Sequence, residues 1–182
     1  IKPGDMELAS VENDWLGINY YFDTPMKASK EVKTTGLDPA GILGLVVDQT
    51  PTPPLTDMNW PITPEGLTNL LNRWHYEYPD KLPPIYITEN GCAYGDEPNE
   101  DGRVRDQRRI DYLDLHLNAL MDSIEHGVDV RGYYQWSLLD NFEWSFGYSK
   151  RFGIVHVDFN TQKRTFKDSA RWYQRVIEQN GL

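Results

Sequence analysis

A single cysteine, Cys92, stands in 182 residues, so no internal disulfide can form and nothing in the thiol count speaks for an oxidising compartment. Basic residues are outnumbered by acidic ones, 18 to 28, and the resulting net charge of −10 repels nucleic acid and anionic membrane alike. Neither is expected as a partner, and a neutral substrate fits better. No apolar run approaches the roughly 20 residues of a membrane span, and no leader peptide is visible. The cytoplasm is the compartment expected on these grounds. The chain opens on Ile1 in a polar, aperiodic stretch, Lys2 to Asp14, from which we expect a further portion upstream. His75, His116, His126 and His156 lack ligand-like spacing and read as surface or helix-end residues, so neither a metal nor a cofactor is expected. Glycine-rich phosphate loops and nucleophile-elbow patterns are also missing.

What is present suits one globular domain: 39% hydrophobic and 13% aromatic residues can form a sizeable core. Trp15 to Tyr21 alternates as a strand, with Leu16, Ile18 and Tyr20 on one face and Gly17, Asn19 and Tyr21 on the other. From Phe22 to Asn59 no period survives Pro25, Pro39, Pro51, Pro53 and Pro54, which predicts a long loop. Thr63 as N-cap and Pro64 after it open a helix with Leu67, Leu70, Leu71, Trp74 and Tyr78 inward, closed by Pro79. Ile85 to Thr88 is a short buried strand ending at Glu89, and strict alternation puts Ile85, Ile87 and Glu89 on one face.

After a polar loop, 91 to 105, Asp106 is expected to cap a helix whose stripe is Ile110, Leu113, Leu117, Leu120, Met121 and Ile124, with Gly127 beyond its end. Val130 to Leu139 reads as a strand buried on both faces. Residues 154–159 and 164–166 read as a surface hairpin. Asp168 or Ser169 then caps a last helix that turns Trp172, Tyr173, Val176 and Ile177 inward. Strand and helix alternate three times, which implies an α/β fold with a parallel sheet and right-handed crossovers. In a barrel of this type the active site forms at the C-terminal ends of the strands, where Tyr21, Glu89 and Trp136 would converge.

A glutamate closing a strand is most often its solvated end, so local physics leaves Glu89 a candidate only. Longer motifs add to it. Tyr86-Ile87-Thr88-Glu89-Asn90-Gly91, then Trp136-Ser137-Leu138-Leu139-Asp140-Asn141-Phe142-Glu143-Trp144 and Gly147-Tyr148-Ser149-Lys150-Arg151-Phe152-Gly153, with Gly17 to Tyr21 ahead of them, resemble glycoside hydrolase family 1, the β-glucosidases and their relatives. The resemblance runs from Asp14 to the C-terminus, apart from the stretch Phe22 to Asn59. It implies the last three βα units of a (β/α)8 barrel, with residues 1–182 forming the C-terminal part of one catalytic domain. It also implies a retaining hydrolysis of β-glucosides with Glu89 as nucleophile.

On the same resemblance Tyr21 would donate a hydrogen bond to Glu89, and Trp136 would underlie the sugar ring. Glu143 and Trp144 would bond its hydroxyls, while Asn19, Phe152 and Trp60 would complete the substrate pocket. Glu143 speaks against a 6-phosphosugar, because relatives that take one usually carry a small residue there and a carboxylate repels phosphate. A retaining enzyme needs an acid/base carboxyl roughly 5 Å from the nucleophile, and the resemblance implies that it sits in an Asn-Glu-Pro motif on an earlier strand. Asn99-Glu100-Asp101 lies downstream and lacks the proline, so Glu100 is not that residue. The expected partners are therefore a β-glucoside and an N-terminal complement of the same barrel. A non-catalytic sugar-binding relative and an inactive partial barrel are the competing readings. For the chain by itself, Ile85, Ile87, Tyr134 and Trp136 are expected to face an uncovered lumen.

Overall fold

In a computed structural model, which describes residues 1–29, 44–47 and 53–182, the chain is an α/β structure built on a three-stranded parallel sheet. After a short helix α1 (Asp5–Ala9), strand β1 (Leu16–Asn19) leads to an antiparallel pair, β2 (Met26–Ala28) and β3 (Leu45–Val47). Helix α2 (Pro64–Glu77), strand β4 (Ile85–Asn90), helix α3 (Gln107–Glu125) and strand β5 (Val130–Gln135) follow. A 3-10 turn (Trp144–Phe146), the hairpin β6 (Val155–Val157) and β7 (Arg164–Phe166), and helix α4 (Asp168–Gln179) complete the chain. The sheet order is β1-β4-β5, so β4 lies in the middle. Among the described residues no helix is long and apolar enough to cross a membrane.

The core lies between the sheet and its helices. Ile18, Tyr20, Ile85 and Ile87 meet Leu67 and Leu71 of α2 and Leu117 and Leu120 of α3. Each such side chain contributes about 1.5 to 3 kcal/mol of burial. Ile85 and Ile87 are fully buried here, so they face the helices and not a lumen, contrary to expectation. The opposite face of the sheet carries Tyr86, Thr88 and Tyr134, which with Trp15 line an open cavity of about 440 Å³.

Strict alternation fails at the end of β4. The pairing shifts between Ile18 and Asn19 on one side and between Ile87 and Asn90 on the other, because Thr88 is an extra residue opposite β1. Glu89 therefore leaves the face of Ile85 and Ile87, and Asn90, fully buried, takes the core side instead. Strand β5 ends four residues earlier than expected. Ser137 turns to a new partner, donating its N–H to Phe152 O and accepting from Ile154 N. Among the described residues β4 is the only sheet neighbour of β5, which leaves β5 one open edge, and its Arg131 and Tyr134 are exposed.

Other departures have local reasons. The expected loop at 22–59 contains the β2–β3 pair, and its residues 30–43 and 48–52 lie outside the described ones. Tyr78, Met121, Ile124 and Ile177 sit at the margins of their stripes and are exposed. Cys92, Ala93, Tyr94 and Val104 of the polar loop are buried, as is the whole of β6, so that hairpin is only half a surface element. Asp106 occupies the expected N-cap position of α3, but its carboxylate makes no capping bond to that helix and instead accepts from the Ser169 N–H, at the start of α4, at 2.8 Å. The N-cap position of α4 belongs to Lys167.

Candidate active site

The C-terminal ends of the sheet strands gather most of the residues singled out from sequence. Tyr21, just past β1, donates its hydroxyl to Glu89 Oε2 at 2.7 Å. Burial, then the hydrogen bond and charge of Glu89, then the charge of Glu143 push the Tyr21 phenol well above its ordinary value, so it remains a donor. Trp60 packs edge-on to Tyr21 with centroids 5.3 Å apart, and Phe152 lies 5.9 Å from Trp60 and 6.4 Å from Tyr21. A wall of three aromatic rings thus stands beside one carboxylate.

The second carboxylate is Glu143. Partial burial raises its pKa, the negative charge of Glu89 raises it further, and a hydrogen bond from the Trp136 side chain works against both. Trp136 is seated by the central strand: its N–H donates to Asn90 O at 2.9 Å, and its carbonyl accepts from Gln135 Nε2 at 2.6 Å. Gly91 permits this approach, since a Cβ there would lie 1.9 Å from the Trp136 carbonyl oxygen. Asn19 is also at the strand ends, accepting a 2.6 Å bond from the Thr88 hydroxyl. Trp144 stands apart from this group, 81% exposed on the 3-10 turn. Glu100 lies on the exposed turn Asn99–Gly102, and among the described contacts none joins it to Glu89.

Two features escaped the sequence reading. One is the set of hydrogen bonds around Asn90 and Tyr112. The other is a buried ion network. Arg109 pairs with Asp96 and Asp106 and donates to the carbonyls of Cys92, Arg151 and Phe152. Lys167 lies between Asp96 at 3.3 Å and Asp140 at 3.2 Å, and Arg151 joins Asp140 at 2.9 Å. Burial and the charge of Arg109 lower the Lys167 pKa, while burial raises that of Asp106. The network ties the loop after Glu89 to the segment carrying Phe152.

A signal for it existed: Arg109 shares the spacing of Tyr112, Leu113, His116 and Leu117, and so lies on the apolar face of α3. His116 and His156, expected at the surface, are buried as well. His156 Nε2 meets Glu97 at 2.9 Å. Among the described residues no group of three His, Cys, Asp or Glu side chains is placed to hold a metal ion.

The profile of Glycosyl hydrolase family 1 matches residues 1–182. A curated relative, "Beta-glucosidase A" of Thermotoga maritima, is 46% identical over 178 residues, which is 98% of this chain and 37% of the relative. A "6-phospho-beta-galactosidase" of Clostridium acetobutylicum is 40% identical over 195 residues, covering 100% of this chain and 40% of its own length. Among solved structures, the family 1 β-glucosidase from Thermotoga maritima in complex with isofagomine lactam superposes with a TM-score of 0.85 at 46% identity, over 98% of this chain and 37% of that one. The chain spans about two fifths of the length of the relatives it matches.

Proposed function

The chain belongs to glycosyl hydrolase family 1, and from that premise we propose that it supplies the nucleophile side of a retaining β-glucosidase. Residues 1–182 are then the last three βα units of a (β/α)8 barrel, and the acid/base carboxyl comes from a complement N-terminal to them. The observation that carries this reading is the 2.7 Å hydrogen bond from Tyr21 to Glu89 at the ends of the parallel strands, beside an aromatic wall and a second carboxylate.

Glu89 attacks the anomeric carbon, the glycosidic C–O bond breaks, and the leaving oxygen takes a proton from the complement's acid. The glycosyl ester on Glu89 is then hydrolysed by water, which returns that proton. Tyr21 holds the Glu89 carboxylate in line, Trp136 underlies the sugar ring, and Glu143 accepts from two sugar hydroxyls. Asn19, Trp60 and Phe152 bound the pocket. Trp144, exposed here, is assigned to a sugar hydroxyl once the complement is in place.

Glu143 also selects the sugar. A carboxylate beside Glu89 repels a phosphate dianion, so the substrate is an unphosphorylated β-glucoside, unlike that named for the Clostridium acetobutylicum relative. The test is Glu89→Ala in the enzyme with its complement. Turnover of an aryl β-glucoside is expected to fall by several orders of magnitude, with azide restoring part of it and forming the α-glycosyl azide. Wild-type turnover by the purified variant would sink the assignment.

A further inference from the structure

Asn90 follows Glu89, is fully buried, and has every polar group of its side chain in use. Its Nδ2 donates to Tyr20 O at 2.7 Å and to the Tyr112 hydroxyl at 3.1 Å, while its Oδ1 accepts from the Tyr133 hydroxyl at 2.6 Å. The Tyr112 hydroxyl in turn donates to the Tyr21 main-chain carbonyl at 3.1 Å. Tyr112 is itself fixed, with the His116 ring stacked at 4.0 Å and His116 Nδ1 on its carbonyl at 2.8 Å. The Asn90 main-chain carbonyl accepts the Trp136 N–H, and the Glu89 carbonyl accepts the Tyr20 N–H, both at 2.9 Å. One amide thus joins β1, β5 and α3 at the point where β4 delivers Glu89.

We propose that Asn90 is a positioning residue that fixes Tyr21, through Tyr112, and Trp136, through its own main-chain carbonyl, relative to the Glu89 carboxylate. The inference rests on the reading of Glu89 as nucleophile. A buried asparagine at a strand end ordinarily just satisfies nearby polar groups. Here Tyr112, a partner of its side chain, holds the Tyr21 carbonyl, and its own main-chain carbonyl holds the Trp136 N–H, both at the strand end that carries Glu89. The position needs two donors and one acceptor at one point, which an amide supplies. Aspartate has the same shape without the donors, and glutamine adds a methylene where no space remains. Displacing a reacting group by about 1 Å costs about 100-fold in rate.

The test uses the enzyme with its complement and compares Tyr112→Phe and Asn90→Asp with wild type. Ser169→Ala, which loses a buried hydroxyl bond to Asp106 away from Glu89, serves as the control. A 2-deoxy-2-fluoro-β-glucosyl fluoride traps the glycosyl-enzyme, followed by intact mass. The amplitude counts competent molecules, and the rate constant reports how well Glu89 is placed. We expect both variants to reach full amplitude with rate constants about 10- to 100-fold lower, and kcat to fall in step while KM moves less than about threefold.

Ser169→Ala is expected to melt earlier at an unchanged trapping rate. Trapping at the wild-type rate in Tyr112→Phe and in whatever fraction of Asn90→Asp folds would overturn the positioning role and leave Glu89 as nucleophile. A wild-type label on a residue other than Glu89 would overturn the reading beneath it, and the proposal with it.

Discussion

Tyr21 is a donor that cannot easily become an acceptor, because burial and two nearby carboxylates all oppose its ionisation. Its hydrogen bond to a carboxylate is of the charge-assisted kind, worth about 1.5 to 3 kcal/mol. Tyr21→Phe is therefore expected to lower kcat/KM for an aryl β-glucoside by roughly 10- to 100-fold. Steady-state kinetics on the purified variant checks it. On the proposed reading Glu143→Ser removes two bonds of that strength to sugar hydroxyls and should lower kcat/KM by about 100-fold or more, mainly through the transition state. A change within about threefold would remove Glu143 from the sugar site.

His116 makes a different prediction. Burial depresses its pKa from 6.5 to about 4, against a weaker opposing pull from the Tyr112 carbonyl. The unfolded chain therefore binds this proton first as pH falls, and the ring's contribution is complete above about 6.5 and lost toward about 4. At roughly 1.4 kcal/mol per pH unit the effect is about 3 kcal/mol. Melting curves from pH 7.5 to 4.5 should fall more steeply for wild type than for His116→Gln; parallel curves would contradict this. His116 was misread as a surface residue because its helical spacing was not weighed. Tyr21 and Asn19 were legible, since plain alternation from Leu16 holds as far as Tyr21.

At the scale of elements, the three sheet strands and three long helices follow from apolar period and breakers, and they stand close to where those signals put them. Two things did not follow. The bulge at Thr88 breaks alternation without a glycine or proline to announce it, so Glu89 seemed to share a face with Ile85 and Ile87. The charges of Asp96, Arg109, Asp140 and Lys167 look like solvated loop residues until the loops that carry them are folded together. Removing one member of such a buried set leaves partners uncompensated, at about 3 to 5 kcal/mol. Arg109→Met should accordingly lower the melting temperature by many degrees, since it also takes from the Cys92 carbonyl the guanidinium that donates to it. A melt within about 2 °C of wild type would mean the network contributes little.

The molecule as a whole has an unfinished look that its chemistry explains on the reading above. Among the described residues strands β1 and β5 each have one neighbour in the sheet, and the face away from the helices exposes Trp15 and Tyr134 over the cavity beside Tyr86. Open strand edges beside exposed aromatic surface favour association, so residues 1–182 alone should self-associate in sedimentation and show no glucosidase turnover. The expectation that Ile85 and Ile87 belong to the uncovered side was wrong, so less apolar surface is open than the alternation implied. The Asn-Glu-Pro acid was legible only as something these residues do not contain.

The direct test of the account is to combine this chain with a separately produced N-terminal complement, trap the intermediate with a 2-deoxy-2-fluoro-β-glucosyl fluoride, and weigh the two chains. The account predicts one glycosyl label on the chain described here, lost in Glu89→Ala, with turnover only in the mixture. A label on the complement, or turnover by this chain without it, would contradict it.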